Sequence, residues 1–213
     1  MGLAEEKTAF LLANGNPITI IRPSGNIPTT GRIMAIKRRT DMYSINYLRE
    51  AIFVADSVVQ RGDWIRDEAT GEQYFVEALQ VKTKGGSVLS IDAELYMINY
   101  PSIPIQRLQK TYDDSGNLIG SSWQTIATLP GNVQHVNGKT EYRDGLLLPD
   151  AVFKITTQTD KGLIAGDAGM LPTSFSVQLN DRLILDEKPY RVIDIDLSTM
   201  PGLQVIQVAV DSR

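Results

Sequence analysis

Val59-Gln60-Arg61-Gly62-Asp63-Trp64-Ile65 returns late in the chain as Val177-Gln178-Leu179-Asn180-Asp181-Arg182-Leu183. The shared pattern is V-Q-x-[GN]-D-x-[IL]. Tyr-x-Val follows each copy, as Tyr74-Phe75-Val76 and as Tyr190-Arg191-Val192, and the second copy is shorter between Asp and Tyr. A turn between strands absorbs such a length change at little entropic cost. The physics of the unit is that of a β-hairpin. Gly-Asp or Asn-Asp turns the chain into a strand, and Ile65 or Leu183 points to a core. A tight turn follows, and the return strand alternates inward Tyr and Val with outward residues. Asp63 and Asp181 read as turn caps, their side chains bonding nearby backbone N–H groups.

Outward from these hairpins the chain continues in the same idiom. Val, Ile, Thr, Tyr and Phe alternate with polar residues, and Gly/Asn/Asp clusters punctuate the runs. One set of strands is expected near 18–22, 31–37, 51–56, 64–67, 73–82 and 88–98. A second set, in the same order, is expected near 105–112, 118–136, 151–157, 182–186, 190–195 and 203–210. Asp113-Asp114-Ser115-Gly116-Asn117 is a strong hairpin turn, with further turns at Thr70-Gly71, Lys84-Gly85-Gly86 and Asn137-Gly138. Long loops are read at 22–31, 38–50 and 160–173, the last carrying Gly162, Gly166 and Gly169. Only the start is clearly helical: Leu3, Lys7, Phe10 and Leu11 share a face, and Asn14-Gly15-Asn16-Pro17 stops the helix. A short helical turn is also allowed within 41–48. Short strands at this spacing predict small barrels or sandwiches. The expected fold class is therefore mainly β: a short N-terminal helix and a first β-barrel-like domain over 1–100, then a second over 105–213. Pro101 and Pro104 should break pairing at the joint.

Composition narrows the function. The 213 residues are 42% hydrophobic and 22% charged, with a net charge of −4, no cysteine and a single histidine, His135. The absence of cysteine removes disulfides, thiolate metal sites and Cys nucleophiles. One histidine leaves almost no material for zinc sites or His-based triads. A general nucleic-acid binder would be basic. No phosphate loop and no G-x-S-x-G elbow is present. Asp194 and Asp196 share a strand face, as do Asp92 and Glu94, but a glycosidase needs its carboxylates across a cleft. The chain is thus expected to be no enzyme, with no catalytic, cofactor-binding or metal site. The apolar runs fall well short of a membrane span, so no membrane partner is expected. What stands out is local charge. No acid lies between Lys7 and Asp41, while Arg22, Arg32, Lys37, Arg38 and Arg39 do, and Lys82 and Lys84 sit at another hairpin end. These seven are the candidate interface or DNA-channel contacts.

Over roughly 105–210 the sequence resembles the head–tail joining, or head-closure (stopper), proteins of tailed bacteriophages. The similarity begins with Tyr112-Asp113-Asp114-Ser115-Gly116-Asn117 and runs into Trp123. It continues through Gly131-Asn132-Val133-Gln134, where the family has a V-x-P-like strand and this chain has His135 after Gln134. Asn137-Gly138-Lys139-Thr140-Glu141-Tyr142 resembles the next turn. Asp181-Arg182-Leu183, Tyr190-Arg191-Val192-Ile193 and Asp196-Leu197-Ser198 resemble the closing hairpin, and Leu203-Gln204-Val205-Ile206 the last strand. The resemblance implies a small β-barrel that assembles with copies of itself into a ring in the virion neck, between portal or adaptor and tail. Such a ring is built in the host cytoplasm, helps retain packaged double-stranded DNA and lets the tail dock, without catalysis. A mildly acidic surface suits a conduit that DNA passes without sticking. Two other readings stay open. One is a tail-terminator, tail-tube or baseplate component. The other is a carbohydrate-binding module using Trp64, Trp123 and the eight tyrosines for stacking.

Overall fold

The computed structural model describes residues 2–22, 24–36, 47–136, 148–159, 176–198 and 200–212. Helix α1 (Leu3–Asn14) precedes twelve strands. The first six are β1 (Asn16–Arg22), β2 (Gly25–Ala35), β3 (Leu48–Phe53), β4 (Trp64–Asp67), β5 (Gln73–Lys84) and β6 (Ser87–Met97). The second six are β7 (Tyr100–Tyr112), β8 (Leu118–His135), β9 (Phe153–Gln158), β10 (Arg182–Leu185), β11 (Lys188–Asp196) and β12 (Leu203–Val210). Each set closes into a six-stranded barrel, ordered β1-β2-β3-β6-β5-β4 and β7-β8-β9-β12-β11-β10. Each is therefore two three-stranded meanders, joined by the third strand to the sixth and the first to the fourth. Two barrels with one topology carry the repeated hairpin at the same place, β4–β5 and β10–β11. The predicted mainly β fold with two barrels and a short helix is the observed one. The chain divides into two compact units, the first of Met1–Ile98 together with Met200–Leu203 and the second holding the remaining described residues from Asn99 on.

Inward-facing apolar residues build each core, with β9 and β12 of the second barrel buried on both faces. In the first barrel Ile18 and Ile20 of β1, Phe53 of β3, Ile65 of β4, Tyr74 and Val76 of β5 and Leu95 of β6 form one buried cluster. In the second barrel Ile103, Ile105, Leu129, Ile155, Leu183, Val192, Ile206 and Val208 are buried. Each such side chain contributes about 1.5–3 kcal/mol when fully buried. Two glycines let neighbouring strands close in. A Cβ on Gly31 would lie 2.9 Å from Phe53 Cδ1 and 3.0 Å from Ile18 Cδ1. On Gly131 it would lie 2.9 Å from Ile103 Cδ1 and 3.0 Å from Ile155 Cγ2. They occupy β2 and β8, equivalent strands.

Four expectations change. Residues 22–31 are not a long loop, because β2 begins at Gly25 and pairs with β1 from Arg22 inward. Pro101 and Pro104 do not end pairing: β7 starts at Tyr100, and Pro104 sits opposite Thr128 beside a register shift. A proline is tolerated there because it needs no donor on an edge without a partner, and β7 meets β10 only at Ile105 and Gln106. Helix α1 buries Leu11, while Leu3 and Phe10, expected on the same face, are exposed. Phe75, expected to point outward between Tyr74 and Val76, is fully buried in a second apolar cluster with Leu48 and Tyr96. The turn at Asn137-Gly138, the loop 160–173 and residues 41–46 of the expected helical turn lie outside the described residues, and Leu48 opens β3.

Candidate functional site

The geometry around the repeated Asp is the same in both barrels. Gly62 (φ 81°) and Asn180 (φ 70°) precede it in the left-handed region, which explains the [GN] position of the pattern. Asp63 Oδ2 accepts from the Gln60 amide at 2.6 Å, and Asp181 Oδ2 from the Gln178 amide at 2.8 Å. Both aspartates cap their turns, as read from the sequence. Each also holds an arginine from the first strand of its barrel. Arg22 Nε and Nη2 donate to Asp63 Oδ1 and Oδ2 at 2.7 and 2.6 Å. Arg107 Nε and Nη2 donate to Asp181 Oδ1 and Oδ2 at 2.8 and 2.7 Å. A further contact is shared too, since Nη2 donates to the Val58 carbonyl in one and to the Ser176 carbonyl in the other. The backbone repeats too: Val76 N donates to Asp63 O, and Val192 N to Asp181 O. The bidentate carboxylate raises the pKa of both guanidiniums above the ordinary arginine value.

This arginine clamp is the feature that sequence reading missed. Its trace is Ile18-Thr19-Ile20-Ile21-Arg22 against Ile103-Pro104-Ile105-Gln106-Arg107, an I-x-I-x-R strand. The pair is separated by 41 residues in the first barrel and by 74 in the second. Chemically the clamp is a structural lock. The arginine neutralises a buried carboxylate and ties the barrel's first strand to the loop entering its fourth.

Of the seven basic candidates, the structure describes Arg22, Arg32, Lys82 and Lys84. Arg22 is committed to Asp63, with its side chain only 19% exposed. Arg32 is exposed on β2, opposite Ile52 of β3. Lys82 Nζ reaches Gln80 Oε1 at 2.5 Å and lies 3.9 Å from Asp92. Lys84 is exposed at the β5–β6 turn. Lys37, Arg38 and Arg39 lie outside the described residues. The groove on the outer face of β2, β3, β6 and β5 is lined by Glu50, Asp92 and Glu94, with Lys82, Met34 and Ile52 beside them. Glu50 stands directly opposite Glu94, a like-charge pair that repels phosphate.

The remaining chemical candidates have structural partners. Asp196 accepts from Ser198 N and Oγ, both at 2.7 Å, and Asp194 from Gln207 Nε2 at 2.8 Å. His135 packs edge-on against Phe153, 5.3 Å between ring centroids. Trp64 Nε1 donates to Gln73 Oε1. Arg182 lies over the Trp123 ring, 3.7 Å from its centroid, and pairs with Asp211 at 2.5 Å. Among the described residues no three His, Asp or Glu side chains gather into a metal-binding group. No helix among them is long and apolar enough to cross a membrane.

The described residues form two small closed barrels, each tied by an arginine–aspartate ion pair. Residues 102–205 match the family model of phage head completion proteins. That match runs from β7 into β12 and covers the half in which the resemblance to head-closure proteins was read. It supports a structural role in phage head closure, as a component of the virion. No curated protein matches the chain.

Proposed function

We propose that the chain is a connector of the phage neck. Copies form a ring between portal or adaptor and tail, assembled in the host cytoplasm, which helps retain the packaged DNA and presents the surface onto which a tail-terminator or tail-tube protein docks. The observation that carries this reading is the family match spanning the second barrel from its first strand to its last. The clamp supports it, because a rigid barrel presents its neighbours with one fixed surface. Arg32, Lys82 and Lys84, with Lys37, Arg38 and Arg39, are the residues we assign to partner contacts or to DNA passing without sequence-specific binding. Glu50, Asp92 and Glu94, which line one groove together with Lys82, limit how far that contact extends.

Deletion of the gene in its phage tests the reading. The expected result is filled heads that lose DNA and lack tails, restored when the chain is supplied in trans. Complete infectious particles without the chain would overturn it. Electron-microscopic density for the chain below the neck would favour a tail component instead.

A further inference from the structure

The two barrels share one outer face, in the same register. Arg32↔Ile52 and Met34↔Glu50 of the first match Asn132↔Thr156 and Gln134↔Lys154 of the second. Ala78↔Glu94 and Asp194↔Gln207 match too, each following the same register shift between its strands. In the second barrel this face is covered. Asn132, Gln134, Lys154, Thr156 and Gln207 are all buried, and Gln207 Oε1 accepts the Leu148 amide at 2.8 Å.

In the first barrel the matching face is open. Met34, Glu50, Ile52, Ala78 and Glu94 line its groove, with Glu94 exposed and Glu50 half-buried. The ends of the groove are closed. At one, α1 lies against β6, where Lys7 Nζ donates to Ser90 Oγ at 2.6 Å. At the other, Leu48 and Tyr96 pack with Met200 and Leu203. Between them Glu50 stands directly opposite Glu94, and like charges so placed on a sheet repel. Neither carboxylate has a hydrogen bond or ion pair among the described residues. Lys82 does not relieve them, being bonded to Gln80 and beside Asp92. The face therefore lacks the cover that its counterpart has, and its charge and apolar floor call for a narrow cationic insert.

The β5–β6 turn has that form. Every residue from Thr83 to Val88 is exposed, and a Cβ on Gly85 or Gly86 would meet nothing within 4 Å. Lys84 has no side-chain partner among the described residues, and Val81 and Val88 add exposed apolar surface beside it. Other described turns carry acids that the glutamates would repel: Glu68 and Glu72 at β4–β5, Asp113 and Asp114 at β7–β8, Asp186 and Glu187 at β10–β11. Arg22 at the β1–β2 turn is committed to Asp63. Lys84 cannot enter the groove of its own chain. Glu94 stands opposite Ala78, and the ribbon from Ala78 to Lys84 spans about 20 Å at about 3.3 Å per residue.

We propose that the β5–β6 turn of one copy inserts into the outer groove of β2, β3, β6 and β5 on a second copy, setting Lys84 between Glu50 and Glu94. The contact is head-to-tail, since it uses different patches on the two copies, and such contacts close into a ring when their rotation divides a full turn. The inference rests on the ring reading above and names two surfaces that make the ring.

A zero-length crosslink tests it on the unsubstituted chain. Purified phage particles are treated with a water-soluble carbodiimide, which joins an amine to a carboxylate that touches it, and the linked peptides are mapped by mass spectrometry. Particles carrying Lys84→Arg, which keeps the charge but offers no amine, are treated in parallel. The expected result is a ladder of covalent dimers and higher products joined from Lys84 to Glu94 or Glu50, lost in Lys84→Arg particles that contain the chain at an unchanged level. Particles that contain the unsubstituted chain and yield no such link would overturn the interface and leave the ring reading standing. Links from the two glutamates to a different lysine, or a ladder that persists in Lys84→Arg, would overturn it as well. Particles that lack the unsubstituted chain would refute the ring reading, and the interface with it.

Discussion

The clamp invites a double-mutant cycle on Arg107 and Asp181. Asp181 accepts three hydrogen bonds, two from Arg107 and one from the Gln178 amide. Its side chain is 3% exposed and that of Arg107 32%. Breaking a buried pair costs about 3–5 kcal/mol, and an exposed pair contributes about 0–1 kcal/mol. Arg107 can rehydrate through its open third, so Asp181→Ala should cost about 2–4 kcal/mol. Arg107→Ala leaves Asp181 its turn-capping bond but removes the charge partner, and should cost about the same. The coupling energy should be about 1–2.5 kcal/mol, smaller than either single loss because the Gln178 bond belongs to Asp181 alone. For a barrel of this size each kcal/mol lowers Tm by about 4–8 °C. The chain has two tryptophans, Trp64 in the first barrel and Trp123 in the second. Urea unfolding followed by fluorescence in a Trp64→Phe background therefore reports the second barrel. The cycle at Arg22 and Asp63, read in a Trp123→Phe background, should give equal or larger coupling, because Arg22 is the more buried arginine. Coupling below about 0.5 kcal/mol in both barrels, the value of a surface pair, would refute the claim that these ion pairs lock the fold.

Gly131→Ala places a methyl against Ile103 and Ile155; overpacking should cost about 1–3 kcal/mol by urea unfolding. Glu187 holds φ 65° in the β10–β11 turn, so Glu187→Gly should raise the melting temperature of the second barrel, by relieving about 1 kcal/mol of left-handed strain. Tyr74 is buried and donates to Glu72 at 2.5 Å; burial, with the Glu72 bond, raises its pKa well above that of free tyrosine. The folded state thus keeps the phenol proton that the unfolded state releases above about pH 10, and first-barrel stability should fall as pH rises past that point. Tyr74→Phe should flatten that alkaline loss, and an unchanged slope would exclude Tyr74 as its source.

The hairpins were legible because their signals are local. Asp113-Asp114-Ser115-Gly116-Asn117 contains its own hydrogen-bond partners, and the [GN] position reports a backbone angle that one residue feels alone. The acidic caps at Asp63 and Asp181 bond an amide three residues away, within reach of pattern reading. Arg22 looked like a free charge because its partner is distant along the chain. No window of sequence contains both ends of that pair. The same limit hid the environment of Trp123, whose cover, Arg182, arrives from another strand.

Sequence alone determined the β class, the twelve strands and the repeated turn, since alternation and turn chemistry act over a few residues. Tertiary structure decided which strand neighbours which, and so which charges are paired and which edges stay open. Barrel closure brings the first strand beside the fourth, converting Arg22 and Arg107 from surface charges into locks. Among the described residues it also leaves the β5 edge away from β6 without a strand partner from Ala78 to Lys84. An edge is open or closed only by virtue of a neighbour, and neighbours are set by the fold.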